Sequence, residues 1–112
     1  MRRDFLHLVA AGIFISLATL ALPVSVRAQS DGEKLFSARC TLCHAADGSG
    51  SSPTGKALKA KDLKSDEVQK ASDEDLTTII TNGKGKMPAF GKKLKPEDIQ
   101  ALVAYVRSLA KK

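Results

Sequence analysis

Cys40-Thr41-Leu42-Cys43-His44 places two thiols and an imidazole within about one helical turn. Two cysteines separated by two residues and followed at once by histidine have the spacing at which thiols add across the two vinyl groups of a haem, with the next imidazole on its iron. Three other chemistries use paired cysteines, and each lacks something here. A zinc site wants four nitrogen or sulfur ligands, yet beyond residue 28 Cys40, Cys43 and His44 are the only cysteines and histidine. A thioredoxin-like pair follows a strand in a βαβ setting, and no segment shows sustained two-residue alternation. A Cys40–Cys43 disulfide suits an oxidising compartment and can form transiently before haem arrives, but it leaves His44 without a role. The expected cofactor is one haem c, covalently held through Cys40 and Cys43, with His44 on the metal.

The second axial ligand depends on how much of the chain is kept after export. Arg2 and Arg3 give a positive start, Leu8 to Leu22 is an uncharged run of 15 residues, and Val26-Arg27-Ala28 sets small residues where a signal peptidase reads. The run is short of the roughly 20 residues of a spanning helix, so residues 1–28 read as a secretory signal cleaved after Ala28, the alternative being an uncleaved membrane anchor, and residues 29–112 as one domain. The pair Arg2-Arg3 resembles a twin-arginine start but is read as the ordinary positive start of a general secretory signal. His7 and Met1 leave with that segment. The remaining choices on the iron are methionine, lysine, a terminal amine or nothing.

Met87 is then the single thioether, set in Asn82-Gly83-Lys84-Gly85-Lys86-Met87-Pro88-Ala89-Phe90, a Gly/Pro-punctuated loop. A core-filling methionine would sit at helical spacing on an apolar face, and this one does not. Gly83 and Gly85 allow tight turns, and Pro88 fixes the chain after the sulfur. Histidine with methionine raises a haem's reduction potential relative to two nitrogens and fills both axial positions. The other ring nitrogen of His44 needs an acceptor; the Pro53 carbonyl is the candidate, with another loop carbonyl as the alternative.

The elements that must hold these groups are helices. Ser30-Asp31-Gly32-Glu33 reads as a capping box opening a helix from Asp31 to Arg39. Ala45 to Gly55, AADGSGSSPTG, reads as a loop. Ser65 caps a short turn through Lys70, and Ser72 a helix from Asp73 to Asn82 stopped by Gly83. Pro96, Glu97 and Asp98 open a last helix to Ala110, with Ile99, Leu102, Val103, Val106 and Leu109 on its apolar side. The expected fold is all-α, about four helices wrapped around one covalently attached haem. Loss of residues 1–28 takes Lys+Arg from 18 to 15 and Asp+Glu from 12 to 11, a net charge of +4 on 84 residues. Those 84 hold only Phe36, Phe90 and Tyr105 as aromatics, thin for so small a core, so a bulky cofactor should fill the middle.

Over this whole span the sequence resembles the class I c-type cytochromes, in particular the small bacterial single-haem carriers and their photosynthetic relatives. The residues that carry the likeness are the C-x-x-C-H motif, NGKGKMPAF before an acidic-start terminal helix, and Gly32 with Phe36 four residues on. The resemblance implies that Gly32 and Phe36 pack where the first and last helices cross, against Leu102 and Tyr105, and that Pro53 stands at the histidine-orienting proline. It also implies a periplasmic, monomeric carrier that cycles its haem between ferric and ferrous and transforms no substrate. The alternatives are an open-site sensor or peroxidase-like domain, which would need Met87 off the iron, and a fixed electron-relay subunit.

Charge is sorted along the chain. Lys84, Lys86, Lys92, Lys93 and Lys95 surround Met87, while Asp62, Asp66, Glu67, Asp73, Glu74 and Asp75 fall earlier. Lysines around an exposed haem edge would steer a redox partner with an acidic face, giving fast encounter and fast release. An exported chain without interleaved aromatics is a poor nucleic-acid binder, and without residues 1–28 nothing remains for stable membrane insertion.

Overall fold

The computed structural model describes residues 24–112, together with Ala18, Leu20 and Ala21. Most of the expected signal segment, residues 1–28, lies outside these. Among the described residues there are six helices, α1 (Val24–Arg39), α2 (Thr41–His44), α3 (Pro53–Leu58), α4 (Asp66–Lys70), α5 (Asp73–Asn82) and α6 (Pro96–Leu109). No strand forms among them, and the one ladder-like pairing is an isolated bridge between Lys84 and Met87. No helix of the described residues is long and apolar enough to cross a membrane.

Contact between α1 and α6 is the most extensive in the fold, and a glycine permits it. A Cβ on Gly32 would overlap the Ala101 carbonyl oxygen and stand 2.9 Å from Tyr105 Cβ, so any side chain there pushes the helices apart. One turn on, Phe36 meets Tyr105 with ring centroids 5.1 Å apart at an interplanar angle of 49°, a tilted arrangement that suits the ring quadrupoles. Phe36, Leu102 and Leu109 are the most deeply buried side chains. With Phe90, Leu94, Ile99 and Tyr105 they form the main core cluster.

A second cluster, Val68, Leu76, Val103 and Val106, seats α4 and α5 on the other side of α6. Arg107 ties it together. Its guanidinium donates to Asp73 Oδ1 at 3.0 Å, to Gln69 O at 2.8 Å, to Val68 O at 3.3 Å and to Ala71 O. These carbonyls belong to the end of α4, where a helix leaves its C=O groups without intrahelical donors.

Two expectations need correcting. The capping box at Ser30 is absent from the full chain, because α1 begins at Val24 and Ser30 lies inside it; the Glu33 amide belongs to the helix ladder, not to a cap. The loop expected from Ala45 to Gly55 ends early, because Ser52 caps α3 through Gly55 N at 2.9 Å and Pro53 occupies the first helical turn. The caps at Ser65 and Ser72 form as expected, accepting from Val68 N and Asp75 N.

Candidate functional site

α2 is a single turn that follows α1 through Cys40, its N-cap, and it carries Cys43 and His44. His44 N–H donates to Cys40 O at 2.9 Å, and Gly50 N donates to His44 O at 2.8 Å. The His44 ring is held separately, with Nδ1 3.0 Å from Lys61 O. A carbonyl only accepts, so Nδ1 carries a proton, and in the neutral imidazole it is Nε2 that keeps the free lone pair. This is the tautomer that a metal needs, with the orienting acceptor on the far nitrogen.

That acceptor corrects the sequence reading: the Lys61 carbonyl, and not that of Pro53, holds the ring. Pro53 is committed to opening α3, whereas residues 60 and 61 come round after it. Lys59 ends α3 in the left-handed region at φ 56°, and Ala60 N donates to Gly55 O at 2.8 Å. Gly50, at φ +73°, lies so close that an added Cβ would stand 2.6 Å from Ala60 O. The Gly/Ser loop therefore packs, through Gly50, against both His44 and the segment Ala60–Lys61. Within it Ser49 donates to Asp47 Oδ1 from both Oγ and N, which holds the Asp47 carboxyl below its ordinary range.

The two sulfurs are unpaired thiols. Cys40 packs on the main core cluster, and burial, reinforced by the neighbouring Cys43, pushes its thiol up to about 11.

Met87 reaches the same cluster from much later in the sequence, so the Cys40 side chain and this thioether pack against one core. The loop that carries Met87 is held at three points. Lys84 N donates to Met87 O at 3.2 Å and Met87 N to Lys84 O at 3.0 Å. Between them Gly85 has φ +58° and Lys86 has negative φ, the pattern of a type II′ turn with glycine first. Gly83, at φ +74°, lies against Met87 O, where a Cβ would come within 2.6 Å. Phe90 N and Gly91 N then donate to Ile80 O and Thr81 O at 2.9 and 3.0 Å, closing the loop onto the end of α5.

The donor set fits a haem c. It offers two free thiols at the attachment spacing, an imidazole with the outer nitrogen already satisfied, and a thioether fixed by backbone bonds on the same core.

Comparison with known proteins agrees. Residues 27–106 match the family model described as cytochrome c oxidase, cbb3-type, subunit III. The chain is 38% identical over 106 residues to a cytochrome c6 of Nostoc sp., covering 95% of this chain and 92% of that one. It is 43% identical over 82 residues to the cytochrome c6 of Microcystis aeruginosa, covering 73% and 98%. Among solved structures it is similar to the KustC0563 c-type cytochrome, with a TM-score of 0.66 and 38% identity over 70% of this chain and 96% of that one. The chain belongs to the c-type cytochromes, the class I kind with a small helical fold. It carries one covalent haem and works as an electron-transfer protein with redox proteins as partners.

Proposed function

We propose that Cys40 and Cys43 hold the haem by thioether bonds, that His44 and Met87 are its two axial ligands, and that the protein shuttles single electrons between partners in the periplasm. The bound haem supplies a one-electron ferric/ferrous couple. The observation that carries the reading is the seating of Met87: its backbone is locked by the turn at Lys84–Met87 and its side chain lies on the core that Cys40 also touches. Held by both His44 and Met87, the haem would be closed to exogenous ligands and would supply one-electron chemistry only. His44 contributes an imidazole oriented by the Lys61 carbonyl, and Met87 would contribute a soft sulfur that favours the ferrous state.

Replacing the thioether tests this. Met87→Ala is expected to let carbon monoxide bind the ferrous protein and to lower the reduction potential. A variant that excludes carbon monoxide as the wild type does would overturn the assignment of Met87.

Export with cleavage after Ala28 goes with this reading, as does a monomeric carrier. Lys84, Lys86, Lys92, Lys93 and Lys95 are all exposed around the Met87 loop, and they supply the positive surface on which an acidic partner face would dock.

A further inference from the structure

Four contacts converge on His44 and its preceding peptide bond. Three are main-chain or ring contacts: His44 N to Cys40 O, Gly50 N to His44 O, and Nδ1 to Lys61 O. The fourth comes from a side chain. Ser52 Oγ lies 2.7 Å from Leu42 O and 3.1 Å from Cys43 O, so its single proton is shared between two carbonyls at the end of α2. The same oxygen accepts from Gly55 N at 2.9 Å. Gly55 completes the seat, since an added Cβ would overlap Cys43 O and stand 2.9 Å from Ser52 Oγ. The Cys43 carbonyl and the His44 amide belong to one rigid peptide plane. Cys40 therefore holds that plane from its N–H side and Ser52 from its C=O side.

We propose that Ser52 is a positioning residue for the axial histidine, its hydroxyl locking the peptide plane from which the His44 imidazole projects. The proposal rests on His44 being an iron ligand. Its physical content is that a helix cap has a second role: the hydroxyl that starts α3 also fixes the backbone of the haem motif. A cap with only a structural role would lower stability when removed and leave the ligand's orientation alone.

Glycine at an N-cap is only slightly worse than serine, so Ser52→Gly removes the donated proton while largely preserving α3. Ser52→Thr keeps the hydroxyl. Ser72→Ala removes an ordinary cap, that of α5, away from the haem motif. In the ferric holoprotein, proton NMR reads the spread of the haem methyl shifts, which follows the plane of the axial imidazole, and the solvent exchange of His44 Nδ1–H.

The expected result is a changed methyl spread in Ser52→Gly with Nδ1–H exchange faster by about tenfold, the scale of one hydrogen bond of ordinary net strength. Ser52→Thr should return both toward wild type, and Ser72→Ala should lower Tm and move neither. A Ser52→Gly protein with wild-type methyl shifts and exchange would overturn the positioning role while leaving His44 ligation intact. A wild-type spectrum without hyperfine-shifted His44 ring signals would overturn ligation and the proposal with it.

Discussion

At the scale of single residues, the site divides into groups chosen for their chemistry and groups chosen for their backbone. Cys40, Cys43, His44 and Met87, the residues proposed to hold the haem, belong to the first kind, and their types and order single them out in the sequence. The acceptor for the His44 ring belongs to the second. Every residue offers a carbonyl, so nothing in the lettering distinguishes Lys61 from Pro53, and only the path of the chain after α3 decides between them. Ser52 is hidden differently: Ser followed by Pro is a helix-start signal, but here it lies inside a Gly/Ser run whose composition points to a loop. The two glycines before Met87 also differ in kind. Gly85 needs positive φ with nothing within 4 Å of an added Cβ, whereas Gly83 needs positive φ and a close approach to Met87 O. Gly85→Ala should thus cost only the backbone strain of a positive φ, about 1–3 kcal/mol, and leave Met87 in place. Gly83→Ala adds a backbone clash and should cost more, with the methionine displaced in a large fraction of molecules. Urea unfolding of each ferric variant, read beside carbon monoxide binding of its ferrous form, checks the order.

At the scale of elements, α5 was readable to the residue, since Ser72 and Gly83 bracket it, and α6 to within one residue at its C-terminal end. Its start is held by Asp98, whose Oδ2 accepts from Lys95 N at 3.1 Å. The crossing of α1 and α6 at Gly32, Phe36 and Tyr105 followed from the family resemblance. What the sequence misplaced was the start of α1. Val24 to Gln29 extend the helix in the full chain; Val26, Arg27, Gln29 and Ser30 are exposed and Ala28 is half-buried, while the close approach to α6 is at Gly32. Cleavage after Ala28 would remove Val24 to Ala28 while keeping Gly32 and Phe36 against α6, and would leave Ser30 free to cap the new end with Glu33 at the third helical position. Ser30→Ala should therefore lower the stability of the exported, cleaved protein by about 1 kcal/mol and leave the uncleaved chain nearly unchanged. The intact mass of the exported protein establishes which form is measured, and a retained segment 1–28 would contradict the processing assigned here.

At the scale of the whole molecule, the fold is a helical shell whose main cluster is contributed by α1, α6 and the Met87 loop, with the second cluster holding α4 and α5 behind α6. This leaves the lysines of the Met87 loop exposed while the acidic residues of α4 and α5 lie elsewhere along the chain. If the lysines steer a partner, Lys86→Ala and Lys92→Ala should slow association at low salt by severalfold each and flatten its dependence on ionic strength; stopped-flow electron transfer measures both. Association that is indifferent to salt in the wild type would remove this role. The central claim, that this chain closes its iron with His44 and Met87, has its most direct test in the absorption spectrum of the purified ferric protein. Sulfur ligation gives a weak charge-transfer band in the far red; the wild type should show it and Met87→Ala should lack it. A wild type without the band, or a variant that keeps it, would contradict the account.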